Sequence, residues 1–142
     1  LIDRLEEIIS LFDYTGECSI DRKFKGAEGI EIFAEKEQFS RAVIHLVRNA
    51  IQSIPENRAG KITVSAMLEK GAVVVSVADN GKGISHEMEE NIFVPNFTTK
   101  TSCTGLGLAI TKGIVENFRG EIWFSSELNT GTTFYIRIPI AK

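Results

Sequence analysis

Asp79-Asn80-Gly81-Lys82-Gly83 puts a carboxylate at the end of an apolar run and follows it with two alternating glycines. A carboxylate so placed can accept a hydrogen bond from a ligand amine in an apolar pocket, and the glycines let backbone approach that ligand closely. The same five residues also suit an ordinary tight turn. Further along, Gly105-Leu106-Gly107 opens a helical pattern. Free N–H groups at Gly105 to Leu108, together with the helix dipole, favour an anion such as phosphate. The alternative is a helix that merely starts on glycine. The pair is not a Walker A loop, because no Lys-Ser/Thr pair follows it. It is not a Rossmann fingerprint either, because no strand precedes it and the third glycine is missing.

Two more places could carry chemistry. Asn49, with His45 one turn before it, lies beside the apolar stripe of a long helix, as a functional group or as a plain helix-surface side chain. The stretch 92–104, "IFVPNFTTKTSCT", includes about ten residues without evident secondary structure, which in a small domain reads as a functional lid. Lys100 is its one cation and could reach a phosphate.

The elements that must position these residues follow from periodicity. Leu5, Ile8, Ile9 and Phe12 give a short amphipathic helix over 1–12, and "CSIDRKF" and "GIEIFA" read as two short strands around the turn "KGAEG". Phe39, Ala42, Val43, Leu46, Val47, Ala50, Ile51 and Ile54 mark a long helix closed by Pro55 and Gly60. "KITVSAML" alternates, whereas "AVVVSVAD" is a nearly continuous apolar run suited to a buried strand, with "EKG" as the hairpin turn between them. A short acidic helix over 85–92, a helix over 105–118 and a closing hairpin, "EIWFSSE" and "TTFYIRIPI" around "LNTG", complete the chain. The mixed order predicts an α+β fold: a two-layer sandwich whose mixed, mostly antiparallel sheet is covered on one face by helices.

Composition sets limits. The 142 residues fit one domain, which buries about 68–70% of its unfolded surface without needing staples. Sixteen basic against nineteen acidic side chains, a net charge of −3, argue against nucleic-acid binding by bulk positive charge. Cys18 and Cys103 lack metal-site or redox-motif spacing, so reduced thiols in a cytoplasmic setting are expected. No apolar run approaches the ~20 residues needed to span a bilayer, so no membrane contact is expected of this piece. A chain that begins at Leu1 reads as part of a longer protein.

Taken in order, an Asn-bearing helix, Asp-x-Gly-x-Gly after a strand, "VPNFTTK", "GLGLAI" and "GTTF" resemble the ATP-binding catalytic domain of sensor histidine kinases. DNA gyrase, heat-shock chaperone ATPases and mismatch-repair ATPases share that Bergerat-type fold. The resemblance covers nearly all of 1–142, and "LVRNAIQSI" with "VPNFTTK" looks most like the nitrogen-regulation type. It implies that Asn49 holds magnesium through its side-chain oxygen and that the ion bridges the ATP phosphates. It implies further that Asp79 receives the adenine amino group, that Gly81, Gly83 and Ile84 shape the pocket, and that Thr132 supports Asp79 through water. Phe93 and Phe97 would anchor a lid, while Lys100, Thr104, Gly105, Leu106, Gly107 and Leu108 would hold the phosphates.

The implied reaction is phosphoryl transfer from ATP to a histidine on a separate dimerisation domain of the same protein, with a response regulator as the onward partner. Full-length relatives of this kind are homodimers and are cytoplasmic or membrane-anchored. "SHEM" at 85–88 imitates an acceptor motif, but no Arg or Pro follows it, and His86 reads as a surface histidine. The chain departs from the pattern at three positions. His45 stands where relatives carry Asn or a general-base Glu, which favours transfer to a partner over hydrolysis. Gln52 replaces a common basic residue, and Cys103 replaces a glycine. Rival readings are a serine kinase of the anti-sigma-factor type and a nucleotide-binding module without catalysis.

Overall fold

The computed structural model of the chain describes residues 2–10, 18–24, 36–55, 59–84 and 107–140. Eight elements follow in order: α1 (Ile2–Ser10), β1 (Cys18–Lys23), α2 (Lys36–Gln52), β2 (Gly60–Glu69), β3 (Ala72–Asp79), α3 (Gly107–Asn117), β4 (Glu121–Glu127) and β5 (Gly131–Pro139). The strands form one sheet in the order β1-β2-β3-β5-β4. The pairs β2–β3, β3–β5 and β4–β5 are antiparallel, whereas β1 runs parallel to β2, from Cys18 opposite Gly60 to Lys23 opposite Ser65. A parallel pair needs a long crossover, and α2 lies within it. The expected α+β sandwich with a mixed, mostly antiparallel sheet is therefore present. The second segment of the expected early strand pair, "GIEIFA", and the helix expected over 85–92 lie outside the described residues.

Helical and strand periodicities build one core. Phe39, Val43, Leu46, Val47 and Ala50 of α2 recur every three or four residues and are buried. They meet Ile62, Val64 and Ala66 of β2, Val73, Val75 and Val77 of β3, and Phe134, Ile136 and Ile138 of β5. Ile114, Val115 and Phe118 from the region of α3 close the same cluster. Each fully buried side chain of this size contributes about 1.5–3 kcal/mol relative to exposure. The run "AVVVSVAD" departs from its expected burial on both faces. Val73, Val75 and Val77 face the helices, but Val74 and Ser76 on the other face are only half-buried. That second face carries a contact between the Ser65 and Ser76 hydroxyls and a Trp123–Tyr135 stack, with ring centroids 5.3 Å apart. The lateral neighbours of Val74 there are Met67 of β2 and Arg137 of β5.

The end of α3 fixes where β4 begins. Gly120 N–H donates to the Val115 carbonyl and Arg119 N–H to that of Glu116, with Arg119 at φ 62°. This is the paired bonding of a Schellman stop, which turns the chain sharply into β4. The turn lies beside Arg137, at the end of the sheet away from Asp79. Among the described residues no helix is long and apolar enough to cross a membrane.

Candidate functional site

Asp79 is the last residue of β3 and stands between Ile62 of β2 and Thr132 of β5. Its Oδ1 accepts hydrogen bonds from Gly81 N–H at 2.8 Å and from Thr132 N–H at 3.3 Å. The first is the bond an Asp makes to its own chain two residues on. The second ties the carboxylate to the neighbouring strand, so two backbone donors set its orientation. Thr132 itself is 5% exposed.

Three neighbouring segments hold the turn that follows. On one side is the end of α2, where Ser53 carbonyl oxygen accepts Lys82 N–H at 3.1 Å. Gly81 lies so close to Ser53 that a Cβ there would come within 2.6 Å of the Ser53 carbonyl oxygen and overlap its hydroxyl. Ser53 N–H in turn donates to the Asn49 carbonyl at 3.1 Å, and Ser53 hydroxyl to that of Ala50 at 2.8 Å. Asn49 thus sits one helical turn before the residue that touches the Asp79 loop. On a second side Asn80 clips the start of β2: its Oδ1 accepts Lys61 N–H at 2.8 Å, and its Nδ2 donates to the Ala59 carbonyl at 3.0 Å.

The third side is the β4–β5 turn. Gly83 has φ +74°, and a Cβ there would overlap the Glu127 carbonyl oxygen. Only glycine meets both demands without strain. Asn129 N–H donates to the Lys82 carbonyl at 2.7 Å, and Ile84 N–H donates to Ser126 Oγ at 2.7 Å. Ser126 Oγ also lies 2.9 Å from Thr132 Oγ1 and donates to the Gly131 carbonyl at 3.2 Å.

The expected site residues divide accordingly. Asp79, Gly81, Gly83, Ile84 and Thr132 come together around one loop, and Asn49 approaches it through Ser53. His45 and Asn49 are both half-buried on α2. Gly107 is the first described residue of α3, and Leu108 packs half-buried against the core. Phe93, Phe97, Lys100, Thr104, Gly105 and Leu106 lie outside the described residues, as do His86 and Cys103. Three residues to which the sequence assigns no role hold the loop: Ser53, Asn80 and Ser126. Ser126 carried one readable signal, since it shares the strand parity of the core-facing Ile122 and Phe124.

Chemically the arrangement offers a carboxylate of fixed aim, with a half-buried carboxamide nearby on α2. Among the described residues no three His, Cys, Asp or Glu side chains cluster as a metal site.

Residues 34–142 match the family model described as histidine kinase-, DNA gyrase B-, and HSP90-like ATPase. The sensor histidine kinase ZraS of Escherichia coli strain K12 is 40% identical over 110 residues, covering 78% of this chain and 23% of that protein. Sporulation kinase D of Bacillus subtilis strain 168 is 39% identical over 107 residues, covering 75% of this chain and 21% of its own. The chain thus spans between about a fifth and a quarter of those relatives. In structure it is similar to the nucleotide-free catalytic domain of the histidine kinase ThkA, with a TM-score of 0.85, 37% identity, and coverage of 98% of this chain and 91% of that one. The family match over most of the chain, with the Asp79 loop where the motif order requires it, shows that this chain belongs to the histidine kinase-, DNA gyrase B-, and HSP90-like ATPase family.

Proposed function

We propose that this domain binds Mg-ATP and donates the γ-phosphoryl group to a histidine on a separate dimerisation domain of the same protein. The observation that supports this most is the Asp79 carboxylate, aimed by Gly81 and Thr132 N–H groups beside the end of α2. A carboxylate held this way accepts a hydrogen bond from an adenine amino group and does not match the acceptor that guanine carries at that position. Gly81, Gly83 and Ile84 form the adjoining wall, and Thr132 backs the carboxylate.

The Asn49 side-chain oxygen is a neutral hard donor of the kind that would hold magnesium. Magnesium, once bound, neutralises charge on the phosphates. By resemblance, Lys100, Thr104 and the N–H groups of Gly105 to Leu108 hold the β- and γ-phosphates, and Phe93 and Phe97 anchor the lid above them. In the transfer an acceptor imidazole nitrogen bonds to the γ-phosphorus, the bond to the bridging oxygen breaks, and ADP leaves. Catalysis here is positioning and charge stabilisation.

His45 occupies the place of the general base that water attack would need, so transfer to a partner is favoured over hydrolysis. The histidine there also counts against the anti-sigma-factor type of serine kinase, which carries an acidic residue. Onward transfer to a response regulator and a cytoplasmic setting follow from this reading. The finer likeness to the nitrogen-regulation type rests on "LVRNAIQSI" and "VPNFTTK" alone, and the relatives aligned carry other names.

The test is to mix the domain with a separately produced helical domain bearing an acceptor histidine, together with γ-labelled ATP. Label appearing as acid-labile phosphohistidine is the expected result. Tight ATP binding without any phosphohistidine favours a binding module without catalysis.

A further inference from the structure

Ser126 sits where three segments meet, and its hydrogen-bonding capacity is used up there. A serine hydroxyl has one proton to give and two lone pairs to offer. Its proton goes to the Gly131 carbonyl at 3.2 Å, and one lone pair takes Ile84 N–H at 2.7 Å. The remaining neighbour is Thr132 Oγ1 at 2.9 Å. Either hydroxyl could donate across that contact, and both Ser126 bonds are made at once only when the Thr132 hydroxyl is the donor. In that arrangement Thr132 presents only lone pairs to anything else it meets. Its own N–H is also committed, to Asp79 Oδ1 at 3.3 Å.

We propose that Ser126 is a positioning residue for base selection: it fixes the Thr132 hydroxyl as an acceptor beside the Asp79 carboxylate, so that the pocket favours a base bearing an amino group over one bearing a carbonyl. The proposal rests on the nucleotide-binding reading above and adds a specificity role to a residue that need not touch the nucleotide. Without the Ser126 hydroxyl, the Thr132 O–H can rotate and donate, and a guanine carbonyl meets less opposition. The Ile84 N–H also loses its partner, which loosens the loop after Gly83.

The experiment is calorimetric titration of the 142-residue chain with Mg-ATP and with Mg-GTP, for wild type, Ser126→Ala and Ser126→Thr, with thermal unfolding followed in parallel. In Ser126→Ala the preference for ATP over GTP is expected to shrink about tenfold, the scale of one lost buried hydrogen bond. Ser126→Thr keeps the hydroxyl and should keep the wild-type preference. If both nucleotides weaken by the same factor in Ser126→Ala, or if the preference is unchanged, the proposal is overturned. It is equally overturned if Ser126→Thr is as relaxed as the alanine variant. Should Ser126→Ala fail to fold, Ser126→Cys decides by the same ratio, since a thiol fills the space but bonds weakly. A wild-type chain that binds no ATP overturns the nucleotide-binding reading and this proposal together, whereas normal ATP preference in Ser126→Ala removes this proposal alone.

Discussion

The β2–β3 hairpin turns through Lys70 and Gly71, and the β4–β5 hairpin turns through Leu128 to Thr130 at the other end of the sheet, about 25 Å away along β3. An exposed leucine stands at or beside each turn, Leu68 in β2 at 57% and Leu128 at 56%, so apolar exposure does not tell them apart. Their polar bonds do. At the first turn Gly71, with φ +69°, has nothing within 4 Å of where a Cβ would stand, and its carbonyl accepts Ile140 N–H from the end of the neighbouring strand. Beside it an exposed Arg137–Glu69 ion pair spans 3.4 Å. At the second turn, Asn129 N–H reaches Lys82, the Glu127 carbonyl crowds Gly83, and Ser126 holds Ile84. Among the described residues, one turn bonds to the neighbouring strand end alone. The other is bonded across to the loop that aims Asp79, so the same hairpin architecture has become part of the candidate site.

Matched substitutions at the two ends should expose this difference. Gly83→Ala adds a Cβ both at positive φ and against the Glu127 backbone, so it should cost about 2–4 kcal/mol and weaken nucleotide binding at least tenfold. Gly71→Ala meets only the positive-φ term, about 1–2 kcal/mol, and should leave nucleotide affinity unchanged. Denaturant unfolding and calorimetry on the pair check both statements, and equal losses in both variants would erase the distinction. The smallest effect belongs to Glu69→Gln. Removing an exposed ion pair of this kind should shift stability by no more than ~0.5 kcal/mol in denaturant unfolding and affinity not at all.

Local pattern accounts for what could be read in advance. The α2 stripe from Phe39 to Ala50, the β2–β3 hairpin and the closing β4–β5 hairpin each follow a period that a short window contains. Asp79 with its two glycines was visible because strand end, carboxylate and turn are contiguous. The parallel pairing of β1 with β2 was not, since partner choice is decided across the intervening α2. The one-sided burial of β3 was also hidden: a continuous apolar run says nothing about which face the helices will cover. Ser53, Asn80 and Ser126 escaped for a related reason. Each acts on a segment distant in sequence, namely Ser53 on 81–82, Asn80 on 59–61 and Ser126 on Ile84. Two adjacent serines, Ser125 and Ser126, are equivalent in composition, and only strand parity assigns one of them to the side of Ile84 and Thr132.

The central claim is that Asp79 reads a nucleotide base, and calorimetry on Asp79→Asn tests it most directly. The asparagine oxygen can still accept from Gly81 and Thr132 N–H, so the fold should survive, as unfolding measurements on the same sample will record. What is lost is the charged acceptor, and the replacement amide brings a donor that an adenine amino group cannot use. Affinity for both Mg-ATP and ADP should fall by about 10- to 100-fold. Wild-type affinity for both nucleotides in a folded Asp79→Asn chain would contradict the account.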